Sequence, residues 1–359
     1  MATLTEAAVL DALRAIKDPD LHKDIVALGF VKQVRIDGGR VGVTIELTTP
    51  ACPVKDAMRD QARAILTGLG ASHVDVEMTA QVRSAARPEA GRAAVEGVKN
   101  IIAVGAGKGG VGKTTVAVNL AVALAKRGSR VALLDGDMYG PNVPIMLGLR
   151  TQLETDGKKI VPAERYGLQV ISIGFMTQDD SPVIWRGPML HGAVTQFFRD
   201  VRWNDVDYLI VDMPPGTGDI ALSLSQSVPV AGAVVVTTPQ VVSLADTRRA
   251  IQMYRKLNIP VIGVIENMSH FECPKCGHES DLFGKGGGEQ LAGDLSVPFL
   301  GRVPLYEPVR SGGDSGVPIV IGEPDSPAAR ALAGAADKAA AQVSIASFSR
   351  GPIPLTPVG

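Results

Sequence analysis

The sequence predicts a doubly wound α/β domain on a mostly parallel sheet, preceded by a small α/β domain of order α-β-β-α-β. Three observations carry that reading. A glycine-rich loop at Gly107–Gly112 sits between an apolar strand run and a helical pattern. Short apolar runs then alternate with helical stretches as far as Ala341, and residues 1–84 hold two alternating runs joined by a glycine turn.

In the first domain, residues 1–84, Thr3-x-x-Glu6 has the pattern of a capping box. It opens a helix through Ile16 that stops before Pro19. Val34-x-Ile36 and Val41-x-Val43-x-Ile45-x-Leu47 alternate as strands, and Asp37-Gly38-Gly39 between them is a hairpin signal. Thr48-Thr49-Pro50-Ala51-Cys52-Pro53 leads into a helix through Leu66, and Val74, Val76 and Met78 alternate in a last strand. Cys52 falls at the mouth of the second helix, where the dipole favours a thiolate; a small buried residue beside two prolines fits equally well. From Ser84 the composition turns to Ala, Arg, Glu, Gly and Pro without alternation, so residues 85–97 read as a linker.

The second domain, residues 98–345, begins with a buried-strand run at Asn100–Gly105; a helical pattern at Lys113–Arg127 is stopped by Gly128. Between them, Gly107-Lys108-Gly109-Gly110-Val111-Gly112-Lys113-Thr114-Thr115 has the G-x-x-x-x-G-K-[ST] spacing of a phosphate-binding loop. The glycines let backbone N–H groups turn inward, and the helix start adds its positive dipole end, so the loop suits a polyphosphate such as ATP. Lys113 is placed for the β- and γ-phosphates and Thr114 for Mg2+. Lys108, at the front of the loop, reads by residue type alone as a solvated cation.

Strand runs at Val131–Leu134, Tyr208–Val211, Ala233–Thr237, Val261–Ile265 and Phe299–Val303 follow. Helical patterns at Met189–Arg199, Ile220–Ser227, Ser243–Leu257 and Ala328–Ala341 lie among them, and Thr151–Ile173 reads as a hairpin excursion. Such sheets bind ligands at the carboxyl ends of their strands, and two acidic tips fall there. Asp135-Gly136-Asp137 ends one run, with Asp137 placed to orient or deprotonate an attacking water. Asp212 ends another and suits magnesium held through water; the Pro- and Gly-rich segment after it suits a γ-phosphate sensor. Taken singly, each aspartate could equally be a helix cap.

Composition narrows the class. With 359 residues, 45% of them hydrophobic, the chain has material for a full core, and a net charge of −1 offers no polyelectrolyte surface for nucleic acid or anionic membrane. Charged residues run through Met1–Lys17, which therefore lacks a secretory pattern, and no apolar run has the length of a membrane span. A cytoplasmic protein is expected. Three cysteines in a reducing compartment point to metal or redox chemistry. Cys273-Pro274-Lys275-Cys276 sets two thiolates on one tight turn, half of a four-sulfur site. Two chains facing each other would complete a 4Fe–4S site. A zinc, bridging or helped by His278, is the rival, followed by a redox pair and a plain turn.

The segment Lys108–Thr115 resembles the deviant Walker A motif of the MinD/ParA, arsenite-pump and nitrogenase iron-protein ATPases. That resemblance implies that Lys108 reaches into the partner subunit's nucleotide site and joins Lys113 and Asp137 as catalytic groups. D-G-D-x-x-G-P-N at 135–142, Trp185-Arg186-Gly187-Pro188, D-x-P-P-G-T-G-D at 212–219 and Glu266-Asn267-Met268-Ser269 resemble the Mrp/ApbC branch. There the asparagine matching Asn267 reads the base edge of adenine, and the cysteines matching Cys273 and Cys276 hold a labile 4Fe–4S cluster between subunits. Thr48-x-Pro50-x-Cys52-Pro53 resembles the SufT/PaaD-type domain associated with iron–sulfur assembly.

The resemblance implies a homodimeric cytoplasmic ATPase using ATP and Mg2+. It would take a 4Fe–4S cluster from a donor and pass it to apo iron–sulfur proteins. The alternative is a MinD/ParA-like positioning or partition ATPase with a structural zinc at the cysteine pair. Residues 346–359, rich in Pro, Gly and Ser, read as a flexible tail and lack the basic amphipathic helix a MinD-type membrane binder needs. A metabolic ligase using ATP is a third class, because the loop does not name the acceptor.

Overall fold

The computed structural model describes residues 4–85, 93–137, 140–175, 187–216, 219–273 and 275–349. Thr3, Met138, Tyr139, Trp185, Arg186, Thr217, Gly218 and Pro274 lie outside them. The chain divides into two units, Met1–Arg83 and Ser84–Gly359.

The first unit runs α1 (Glu6–Leu13), β1 (Val31–Asp37), β2 (Arg40–Leu47), α2 (Lys55–Gly68), β3 (His73–Ala80). Thr5 caps α1, its hydroxyl accepting from the Ala8 N–H at 3.2 Å, and the helix ends at Leu13 rather than Ile16. The turn between β1 and β2 is Gly38-Gly39, with Asp37 opposite Arg40 and Gly38 at φ 58°. β2 pairs antiparallel with β1 and parallel with β3. Its alternate residues Val41, Val43, Ile45 and Leu47 are buried, as are Val9 and Leu13 of α1 and Met58, Ala62 and Leu66 of α2.

The second unit begins β4 (Val98–Ala106), α3 (Lys113–Lys126), β5 (Val131–Asp135), α4 (Val143–Leu147). The short β6 (Glu154–Thr155), β7 (Ile160–Val161) and β8 (Ala163–Arg165) precede β9 (Leu168–Ser172). It continues α5 (Gly187–Asp200), β10 (Val206–Asp212), α6 (Asp219–Ser227), β11 (Gly232–Thr237), α7 (Val241–Lys256), β12 (Val261–Glu272) and β13 (Glu279–Ser280). Last come α8 (Gly287–Asp294), β14 (Phe299–Leu305), α9 (Glu307–Ser315), α10 (Ile319–Gly322) and α11 (Pro327–Ser349).

Among the described residues, nine strands form one sheet of order β13-β12-β11-β4-β10-β5-β9-β8, with β14 also on β12. All pairings are parallel except those of β8 and β13. Side chains of α5, α6, α7 and α8 share a core with one face of the sheet, among them Phe197, Leu224, Ile251 and Leu291. α3 and α11, which touch each other, cover the opposite face. Strands covered on both sides read as continuous apolar runs, which is why β4, β10 and β11 were legible.

Two expectations change. Thr151–Ile173 is a local hairpin only in part: β6 and β7 pair with each other, but β9 joins the main sheet parallel to β5. The last helix runs to Ser349, past Ala341.

Candidate functional site

β10 lies between β4 and β5, with Asp212 in register with Val104 on one side and Asp135 on the other. That order puts the loop after β4 against two acidic strand ends. The loop needs its glycines at two points. A Cβ on Gly107 would stand 2.3 Å from the backbone carbonyl carbon of Asp246 on α7. Gly112, at φ 80°, starts α3 in the left-handed region, and a Cβ there would stand 2.3 Å from Asn267 Nδ2. Lys108, Gly109 and Gly110 remain partly or fully exposed, whereas Val111 is buried.

The first turn of α3 carries the charged chemistry. Lys113 Nζ donates to Asp212 Oδ1 at 2.7 Å, and Thr114 Oγ1 donates to Asp212 Oδ2, also at 2.7 Å. Lys113 is buried and Asp212 has no exposed surface. Burial pushes the Asp212 carboxyl above the usual carboxylate range, and Lys113 and Thr114 only partly oppose it.

Asp135 is pushed up to about 7, first by burial and then by the charge of Asp212. Hydrogen bonds to its oxygens from Ser172 Oγ (2.9 Å) and from the N–H groups of Asp137 (3.2 Å) and Val143 (3.3 Å) work the other way. Ser172 arrives there because β9 pairs with β5, a contact with no local sequence signal. Asp137 itself is half-buried, one residue beyond the turn at Gly136. A buried carboxylate beside a threonine hydroxyl is a hard oxygen donor set, which fits Mg2+ with Thr114 and Asp212 as its holders.

Beside the loop opens a cavity of about 390 Å³ lined by Gly112, Thr114, Thr115, Asn267, Met268 and Tyr306, with α4 and α9 completing its wall. Asn267 lies on β12, not in a turn, and its Nδ2 donates to the Val111 carbonyl at 2.9 Å. The structure thus brings together the loop, Lys113, Thr114, Asp212 and Asn267, and adds Ser172 as a support of the acidic tip.

The cysteine pair closes a hairpin at the end of β12. The Cys273 N–H donates to the His278 carbonyl at 3.0 Å, and the Gly277 N–H donates to the Cys273 carbonyl at 2.8 Å, with Gly277 at φ 69°. Backbone N–H groups of Lys275 and Cys276 face the Cys273 sulfur, and with the Cys276 thiol they hold it below the ordinary thiol range. Cys273 is half-buried and Cys276 exposed. No group of three or more His, Cys, Asp or Glu able to hold a metal occurs among the described residues. Cys52 belongs to the first unit, where its carbonyl accepts from the Lys55 N–H.

No helix of the described residues is long and apolar enough to cross a membrane. Residues 97–340 match the family described as NUBPL iron-transfer P-loop NTPase, and residues 6–78 match an iron–sulfur cluster assembly protein family. An iron–sulfur cluster carrier protein of Synechocystis sp. is 50% identical over 96% of this chain and 99% of its own length. Its counterpart in Escherichia coli is 44% identical over 94% of this chain and 92% of its own length. A nucleotide-binding protein of Archaeoglobus fulgidus, solved in complex with ADP, superposes with a TM-score of 0.57 at 35% identity, covering 65% of this chain and 91% of that one. The cell division ATPase MinD of Pyrococcus furiosus superposes with a TM-score of 0.50 at 25% identity, covering 67% of this chain and 97% of that one. A phosphate-binding loop backed by buried acids, an open cysteine pair and these likenesses agree: the chain belongs to the iron–sulfur cluster carrier family of P-loop NTPases.

Proposed function

We propose that this protein is a cytoplasmic, ATP-dependent carrier that holds a 4Fe–4S cluster across a homodimer and hands it to apo-proteins. The observation that carries the reading is the open thiol pair. Cys273 and Cys276 offer two sulfurs on a hairpin whose N–H groups favour the Cys273 thiolate, with no third ligand among the described residues. Two such hairpins supply the four thiolates a cubane cluster takes. The cargo would arrive from a donor and leave to a recipient, and neither nucleic acid nor a membrane enters the cycle.

The loop residues Gly107–Thr115 would bind ATP through inward N–H groups, and Asn267 would meet the base in the neighbouring cavity. On binding, Lys113 exchanges Asp212 for the β- and γ-phosphate oxygens. Thr114 and Asp212 would hold Mg2+, which supplies charge neutralisation at the phosphates. Asp137 orients the attacking water, and Lys108, which makes no ion pair among the described residues, reaches the partner's nucleotide as a second cation. Hydrolysis then changes the dimer geometry around the cargo.

Anaerobic reconstitution with iron and sulfide tests the reading. The expected product is a brown dimer with about four irons per pair of chains, transferring its cluster to an apo-enzyme at a rate that depends on ATP. Cys273→Ala and Cys276→Ala should each abolish loading. Tight zinc without iron uptake, or a monomer that holds iron firmly, would overturn it. Hydrolysis stimulated by DNA or vesicles would favour a positioning ATPase instead.

A further inference from the structure

We propose that the bulge Met268–His270 in β12 is a positioning element, with Ser269 and Met268 setting the reach of Cys273 and Cys276 according to whether the nucleotide cavity is filled. This rests on the carrier reading only for its purpose; the coupling itself is a property of the apo-protein.

Among the described residues, β12 is the strand that runs from the nucleotide cavity to the cysteine pair. Asn267 is tied to the phosphate loop through the Val111 carbonyl. Met268 lines the cavity, its methyl carbon 3.7 Å from where a Cβ on Gly112 would stand. Cys273 follows one residue after the strand ends.

Between these points the ladder with β14 breaks. Asn267 pairs with Val303 and Phe271 with Leu305, so Met268, Ser269 and His270 oppose Pro304 alone. Met268 sits at φ 55°, a left-handed conformation that costs a non-glycine residue about 1–2 kcal/mol. Such strain persists only where neighbours impose it. Here the neighbour is β14: the buried Ser269 hydroxyl donates to the Val303 carbonyl at 3.2 Å and pairs with His270 Nδ1 at 2.9 Å.

The segment is anchored on one side and light on the other. Upstream, the fully buried Glu266 carboxylate accepts from the N–H groups of Gly286 and Gly288, at 3.0 and 2.6 Å, and fixes the strand just before the bulge. Downstream, the ladder with β13 is short: among the described residues Phe271 pairs with Ser280 and Glu272 with Glu279, and the Cys273 N–H bonds the His278 carbonyl. A push on Asn267 and Met268 from the cavity therefore cannot move Glu266. It is relieved through the slack residues, and the hairpin carrying the thiols turns with them. Leu305 and Tyr306, at the end of β14, line the same cavity, so both partners of the broken ladder feel its occupant.

The test reads thiol accessibility with no cluster present. Apo-protein is alkylated with iodoacetamide, with and without a saturating non-hydrolysable ATP analogue and Mg2+, and peptide mass spectrometry separates Cys273 and Cys276 from Cys52. Nucleotide should change the rate at the pair about fivefold or more in the wild type, the lower end of ordinary coupling between sites. In Ser269→Ala, which keeps the cavity lining, the two rates should converge while nucleotide affinity and melting temperature hold.

Met268→Gly, where glycine adopts the same φ freely, should converge as well when measured at nucleotide saturation; it carries the test if Ser269→Ala does not fold. Shielding by simple dimerisation would protect the thiols equally in wild type and variants. Equal nucleotide effects in all three proteins, or none in the wild type, would overturn the proposal. Failure to load iron with coupling intact would count against the carrier reading alone.

Discussion

Lys113→Met strands the Asp212 carboxylate, which has no exposed surface and, among the described residues, keeps the Thr114 hydroxyl as its side-chain partner. Removing one partner of a buried pair costs about 3–5 kcal/mol. Proton uptake sets a ceiling of similar size. Asp212 can become neutral, which at pH 7 costs about 4 kcal/mol relative to an unfolded carboxyl near 3.8. The sign of the pH dependence follows. Burial already raises the folded pKa, and losing Lys113 raises it further, so the neutral form is fully tolerated below the unfolded value and penalised as pH climbs above it.

The deficit should therefore shrink to about 2 kcal/mol at pH 5. Urea denaturation of nucleotide-free protein, followed by tryptophan fluorescence, measures it; Trp185 and Trp203 both fall in the second unit, so the first does not contribute. Lys113→Met combined with Asp212→Asn should recover most of the loss, because neither charge of the pair is then left buried without the other. A deficit below about 1 kcal/mol at pH 7, one that stays constant with pH, or a double variant no better than the single would refute the argument.

Two further outcomes follow from the same strand ends. Asp135, with its carboxyl pushed up to about 7, stabilises the folded state fully below 3.8 and loses that contribution as pH rises through 7. Between pH 5 and 7 wild-type stability should fall more steeply than that of Asp135→Asn, by up to about 1.4 kcal/mol per pH unit, and parallel profiles would contradict it. Gly107→Ala forces the loop off the backbone of Asp246 and Thr247 on α7. Nucleotide affinity measured by calorimetry should drop tenfold or more, a loss of about 1.4 kcal/mol, and the melting temperature should fall with it, because backbone must shift; unaltered binding would show that the loop does not rest on α7.

The strand–loop–helix unit was legible because local signals agree: an apolar run, glycines, then a helical period, observed as β4 and α3. The acidic tips were legible as residues, but not in their division of labour. Read from the chain alone, Asp137 takes the prominent place, whereas the buried, strongly perturbed carboxyl is Asp135, pushed up by its burial in the sheet and by the charge of Asp212 on the neighbouring strand. β9 was missed as a sheet member for the same reason, since its partner β5 is set by crossover topology and not by the intervening hairpin pattern. The strand run reads as ending at Ile265, short of Asn267, because the bulge interrupts the period-two pattern that would have extended β12.

α3 has one more consequence. Every residue from Val116 to Leu124 is buried, and Asn119, polar in that run, spends its amide on the Thr115 carbonyl and its oxygen on the Val320 N–H. A rod clasped all round cannot pivot or slide without tearing its bed, so the phosphate grip at its head works like a jaw set in stone. Under the proposed cycle, whatever yields when ATP is hydrolysed would belong to the opposite wall of the cavity, built by α4 and α9, rather than to the grip.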